Sequence, residues 1–240
     1  MRYMGSKNRI SKELKVIIES YINENTEGYL EPFVGGANII DKINCKNKIG
    51  SDIHKQLIAL LNYVKDENNY LPEIITEEEY YRVKNNQNEY EDWYIGLVGF
   101  CGSFGSRYFG GYARHSKGDN SGKWSAGAIR TIEKQRTNLK DITFIHRSFL
   151  DIKENDYKNY VIYCDIPYRN TTKYSKTELF PYDEFYKWCK VMAKNNTVLV
   201  SEYSMPDDFE CIWEKDVKCL IDSKGINGTT KTEKLFIVKP

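Results

Sequence analysis

Asp165, Ile166, Pro167 and Tyr168 follow an apolar run, Val161-Ile162-Tyr163-Cys164, and combine a carboxylate, a proline-restrained carbonyl and an aromatic ring. A planar aromatic amine needs acceptors before it becomes nucleophilic. The Asp165 carboxylate can take one amine proton in a hydrogen bond, and the Ile166 carbonyl, held by Pro167, can take the other. Tyr168 can stack on the ring that carries the amine. If that ring is a nucleobase in a duplex it must first leave the stack, because its amine is otherwise engaged in pairing. An aspartate before a proline is also a common turn former, so the quartet gains meaning from two further sites upstream. In Glu31-Pro32-Phe33-Val34-Gly35-Gly36 the glycines let backbone approach a ligand closely. Asp52 ends a second expected strand, Lys48-Ile49-Gly50-Ser51-Asp52, as does the acid that binds ribose hydroxyls in nucleoside-binding folds; its plainer role is a helix cap before His54.

These residues need a scaffold that brings strand ends together. Apolar positions 10, 14, 17, 18 and 22 predict an early helix with Ser6 as its cap. Residues 29–33 predict a strand ending in the Gly35-Gly36 turn, followed by a helical stretch to about residue 45. Residues 48–52 predict a second strand and 57–64 a helix. The alternation resumes with strands at 142–146 and 161–165, a helix near 182–194 and a strand at 197–201. A last strand at 234–238 pairs antiparallel with residues near 209–219 at one sheet edge. Alternating β and α elements predict a parallel, helix-covered sheet. Residues 1–75 and 142–240 then form one catalytic domain, and 76–141 an inserted subdomain with an acidic helix, a glycine-aromatic segment and a basic helix over 126–139. The run 118–122 is the expected mobile tip.

Composition narrows the classes. With 40% hydrophobic and 29% charged residues the chain is of ordinary globular type, and no apolar run approaches the roughly 18 residues of a membrane span. No targeting segment precedes the first helix, so a cytoplasmic location is expected. Six cysteines form no C-x-x-C pair and three histidines are dispersed, which predicts packing roles and no metal. The net charge of +1 hides an asymmetry: residues 101–150 carry nine cations against three acids, leaving −5 for the rest. Such a basic region faces a polyanion or is a solvated loop. Arg107, Tyr108, Arg114, Lys117, Lys123 and Arg130 are the candidate contacts with nucleic acid, the glycine-aromatic segment being a candidate hairpin for a groove.

Taken in order, Tyr3-Met4-Gly5-Ser6-Lys7, the 31–37 segment, Asp52 and Asp165-Ile166-Pro167-Tyr168 resemble the motifs of the Dam-type DNA adenine-N6 methyltransferases over most of the chain. The resemblance implies a Rossmann-like methyltransferase sheet with an inserted, mainly helical target-recognition subdomain carrying a β-hairpin. It implies transfer of methyl from S-adenosylmethionine to a flipped adenine in duplex DNA, leaving S-adenosylhomocysteine, with Asp165, Ile166, Pro167 and Tyr168 as the catalytic group. Tyr3 and Lys7 would contact the methionine part of the cofactor, Glu31, Phe33 and Gly35 would form its glycine motif, Asp52 would hold its ribose, and Asp165 would lie near it. Phe149 either borders the cofactor's adenine or belongs to the core. A cognate restriction endonuclease is a conceivable partner; oligomeric state is not implied. Two departures stand out: Ile166 replaces a proline, which removes one φ restraint but no reacting group, and Ala37 stands where a glycine is common. Two other readings remain open, methylation of another planar amine (an RNA base or a protein glutamine) and a catalytically silent DNA-binding module. The basic insert argues for duplex DNA. A dinucleotide-dependent oxidoreductase is disfavoured, because the glycine turn lacks the fingerprint spacing.

Overall fold

The structure, a computed structural model, describes residues 1–116, 121–169, 180–218 and 230–239. The expected apolar runs become β1 (Gly28–Glu31), β2 (Lys48–Asp52), β3 (Ile142–His146), β4 (Tyr160–Asp165), β5 (Thr197–Ser201), β6 (Phe209–Lys218) and β7 (Thr230–Val238). They form one sheet of order β3-β2-β1-β4-β5-β7-β6. The first five strands in that order run parallel, and β7 lies antiparallel between β5 and β6. Parallel strands must be covered on both faces, and β1 is buried along its whole length. The result is the expected Rossmann-like α/β sheet.

The described residues also form the helices α1 (Ser11–Ser20), α2 (Lys55–Lys65), α3 (Glu77–Asn85), α4 (Asp92–Cys101), α5 (Lys123–Leu139) and α6 (Tyr182–Ala193). Ser6 caps a short 3-10 turn over Lys7–Arg9, and α1 follows with Leu14 and Ile18 wholly buried. Burial of each such side chain contributes about 1.5–3 kcal/mol. No described helix is long and apolar enough to cross a membrane.

Apolar on every side, α4 buries all residues from Ile95 to Cys101, the pattern of a helix surrounded by others. Helices α3, α4 and α5 belong to the 76–141 stretch, yet Tyr80, Val83, Leu97, Val98 and Ile129 join Tyr29 and Leu57 in one apolar cluster. Helices α2 and α4 approach so closely that a Cβ on Gly96 would stand 2.2 Å from the Gln56 carbonyl oxygen. Backbone cannot rotate aside as a side chain can. Gly96→Ala is therefore expected to destabilise the fold by about 2–3 kcal/mol, read as a lower urea midpoint at unchanged slope; an unchanged midpoint would contradict this packing.

Two expectations are corrected. Residues following Gly36 form consecutive turns to about residue 42, with no helix. Side chains take the carbonyls a helix would use: Gln135 Nε2 donates to Ala37 O (2.8 Å) and Lys42 Nζ to Asn38 O (2.6 Å), while Ala37 adopts a positive φ of 55°. The glycine-aromatic segment forms no hairpin, only a single antiparallel bridge between Ser103 and Tyr112. Positive φ values at Gly105, Ser106, Phe109 and Gly111 break up any extended pairing.

Candidate active site

Strand order reverses between β1 and β4, since β2 and β3 extend the sheet on one side and β5 on the other. Open α/β sheets bind ligands in the crevice outside the strand carboxyl ends at such a reversal. Asp52, Glu31 and Asp165 end the adjacent strands β2, β1 and β4, so three acids span about 10 Å along one edge.

On the β1 side the Gly35-Gly36 turn packs under Tyr3. Gly35 has a φ of 48°, and a Cβ there would come within 2.9 Å of the Tyr3 ring; one on Gly36 would meet Tyr3 Cβ at 2.8 Å. The turn is fastened to β2, because Gly35 N donates to Asp52 Oδ2 (3.1 Å) while His54 N donates to Asp52 Oδ1 (2.9 Å). Burial pushes the Asp52 carboxyl up, and these N–H groups oppose the shift. His54 itself caps α2 through its side chain, so Asp52 serves both the turn and the helix start. Glu31 is buried and accepts from the Tyr29 hydroxyl (2.7 Å); burial drives its carboxyl well above the ordinary range. Phe33, half-buried, packs on Phe149 (5.3 Å between centroids) and Phe185 (5.7 Å). Phe149 also meets Trp188 (5.7 Å) and is buried, which makes it a core side chain directly behind Phe33.

On the β4 side Lys7 reaches across from the amino-terminal segment. Its Nζ lies 3.0 Å from Asp165 Oδ1, 3.8 Å from Glu233 Oε2 and 4.3 Å from the Tyr168 ring centroid. Burial raises the Asp165 carboxyl, Lys7 pulls it back and Glu233 adds a further upward push. The Tyr168 hydroxyl donates to Glu233 Oε2 (2.8 Å), and its ring meets Tyr203 edge-on at 4.5 Å. The Tyr182 hydroxyl donates to the Pro167 carbonyl (2.7 Å). Ile166 is buried in the apolar cluster that includes Phe185 and Val200. Tyr3, Lys7, Glu31, Gly35, Asp52 and the 165–168 loop thus surround one crevice.

Glu233, Tyr203, Tyr182 and Glu202 were not singled out from sequence. Glu202 had a legible signal, for it ends the apolar run of β5 as Asp165 ends β4. Glu233 had none, being one acid among the alternating polar residues of β7.

The residues expected at nucleic acid are less uniform. Arg107, Lys123 and Arg130 are exposed, and the last two, seven residues apart on α5, share a face about 10 Å long. Arg114 pairs with Glu77 and lies over the Tyr112 ring. Tyr108 is half-buried between His54 (4.3 Å) and Phe100 (5.1 Å), and burial pushes its hydroxyl up to about 12. Lys117 and the 118–120 part of the expected tip lie outside the described residues. Next to Lys123, Trp124 stacks on Phe104 (5.9 Å) and carries the Arg2 guanidinium 5.1 Å above its ring. Phe104 is 62% exposed.

A family model described as D12 class N6 adenine-specific DNA methyltransferase matches residues 3–205. Among solved structures, a protein provisionally described as a methylase, from Haemophilus influenzae, matches at 13% identity and a TM-score of 0.40 over 97% of this chain and 98% of that one. A provisionally described methyltransferase from Thermoplasma acidophilum matches at 11% identity and a TM-score of 0.26 over 50% of this chain and 54% of that one. No curated protein sequence matches the chain.

Proposed function

Because the chain belongs to the D12 class of N6 adenine-specific DNA methyltransferases, we propose that S-adenosylmethionine and an adenine rotated out of duplex DNA meet in the crevice between β1 and β4. The observation that carries this is the position of Asp165, which ends β4 across the strand reversal from the Gly35-Gly36 turn. The residues fit that methyl donor. Ribose hydroxyls need acceptors, and the Asp52 carboxylate stands fixed at the end of β2. An adenine needs an apolar wall, which Phe33 offers with Phe149 behind it. A methionine end needs both signs of charge, which Lys7 and Asp165 supply. When bound, S-adenosylmethionine supplies the activated methyl group.

The chain's own residues prepare the amine. Asp165 Oδ1 accepts one amine proton and the Ile166 carbonyl the other, which holds the nitrogen lone pair in one direction. Lys7 now occupies Asp165 Oδ1, so it must yield that acceptor, and Glu233 at 3.8 Å offers it a second seat. Tyr168, fixed through its hydroxyl by Glu233, offers its ring for stacking on the base. The Asp165 carboxylate also stabilises the positive charge that develops on the attacking nitrogen. Ile166 leaves the clamp intact because its buried side chain anchors the loop where a proline ring would restrain φ.

DNA contacts are assigned to the exposed Lys123 and Arg130 on one face of α5, together with Arg107, Tyr108 and Arg114; Lys117, outside the described residues, is proposed as a contact from its charge alone. Replacing Lys123 and Arg130 by glutamine is expected to weaken duplex binding and to lower the slope of log affinity against log salt by about 1–2. A slope that does not change would move the contact elsewhere. The function itself is tested by offering the chain duplex DNA, structured RNA and a glutamine-containing protein with labelled methyl donor. Duplex DNA is the expected acceptor; preferential labelling of RNA or protein would overturn the reading.

A further inference from the structure

Glu202 is 1% exposed at the carboxyl end of β5, one strand over from Asp165. Its Oε2 accepts from Arg169 N (3.0 Å) and its Oε1 from Tyr203 N (2.6 Å). Burying a carboxyl is costly, and a neutral Asn or Ser could hold one turn N–H at less cost. What Glu202 holds explains the expense. Arg169 is the residue after Tyr168, and Tyr203 is the residue whose ring meets Tyr168 edge-on at 4.5 Å. On the other flank the Tyr182 hydroxyl holds the carbonyl of Pro167, the residue before Tyr168. The main chain on either side of Tyr168 is thus tied down by a side chain from another element.

We propose that Glu202 is a positioning residue for methyl transfer: through the Arg169 and Tyr203 main chain it sets the Tyr168 ring and the Ile166 carbonyl, with Tyr182 as its counterpart on Pro167. This rests on the reading of residues 165–168 as the amine clamp. With Ile166 in place of a proline, the loop has one φ fewer fixed by covalent structure, and the two tethers restore that restraint from outside.

Glu202→Gln keeps the shape but leaves one acceptor oxygen for two N–H groups, and Tyr182→Phe removes only the hydroxyl. Both are assayed as the full chain, with S-adenosylmethionine and mixed-sequence duplex DNA, beside Asp165→Ala. Misplacement of a reacting group by about 1 Å costs on the order of a hundredfold in rate. The expected result is a kcat lower by about 30- to 100-fold in Glu202→Gln and by several-fold in Tyr182→Phe, with the KM for S-adenosylmethionine nearly unchanged and the melting temperature lowered only by the few degrees that one orphaned N–H costs. Wild-type kcat in Glu202→Gln, or a loss of kcat matched by equal losses of cofactor affinity and thermal stability, overturns the proposal. If Glu202→Gln fails to fold, Tyr182→Phe decides, and its wild-type kcat would overturn the tether. Turnover in Asp165→Ala within about tenfold of the wild type overturns the clamp reading itself; a loss of about a thousandfold in Asp165→Ala beside a normal Glu202→Gln overturns only the role of Glu202.

Discussion

Asp165→Ala is expected to lower turnover by about a thousandfold while leaving the fold in place. The side chain supplies the acceptor for the amine and the charge that offsets developing positive charge, and no described neighbour duplicates both roles. Stability should hold for a reason that can be signed. Burial raises the Asp165 carboxyl above its ordinary value of 3.8. A group with a raised folded value contributes most stability below 3.8 and loses it as pH climbs through the folded value. At neutral pH the alanine therefore removes a burdened carboxylate, and Lys7 can turn to Glu233, 3.8 Å away. The same shift predicts the pH profile. The clamp requires an ionised Asp165, so the rate should fall as pH drops through a value above the ordinary one. Lys7 opposes the upward shift, so Lys7→Met should move the acid limb to still higher pH. An acid limb that stays put or moves down in that variant would contradict the coupling.

Asp52→Ala is expected to weaken S-adenosylmethionine binding by about a hundredfold, the equivalent of losing two hydrogen bonds to a charged acceptor. Kcat at saturating cofactor should change far less, since Asp52 is on the far side of β1 from Asp165. The carboxylate also holds Gly35 N and His54 N, so its removal orphans two main-chain donors and costs about 1–3 kcal/mol for each that stays buried. Asp52→Asn separates the effects. It retains one acceptor for the main chain but loses the charge, so it should melt closer to the wild type and still bind cofactor about tenfold more weakly. Calorimetric titration well below the melting temperature checks both variants; wild-type affinity in Asp52→Ala would remove Asp52 from the cofactor site.

The central strands β4 and β5 were legible because parallel strands buried on both faces leave apolar runs, and an acid marks the strand end at Asp165 and at Asp52, although β2 itself is not apolar. Two local structures were not. Residues 37–42 carry a pattern a helix could use, but Gln135, almost a hundred residues away in sequence, takes the Ala37 carbonyl. The 103–112 segment interleaves aromatics with glycines and an arginine, a pattern that suggests a hairpin, yet its positive-φ positions break up extended pairing. At the site, the proposed amine clamp lies within one short stretch and could be read from it. Its supports were not, because they arrive by sheet order: Glu202 lies 33 residues beyond Arg169, and Glu233 lies 65 beyond Tyr168. Lys7 came from family resemblance, and only the fold brings it to Asp165. The ring partners of Tyr108 were also hidden, since His54 and Phe100 reach it from other elements.

The most direct test of the central claim is transfer of labelled methyl from S-adenosylmethionine to mixed-sequence duplex DNA, followed by digestion to nucleosides, with Asp165→Ala run in parallel. Label in N6-methyladenine from the wild type, at an initial rate about a thousandfold above that of Asp165→Ala, is the predicted result. Label in a cytosine, or DNA left unlabelled by a chain that still binds the methyl donor, would contradict it.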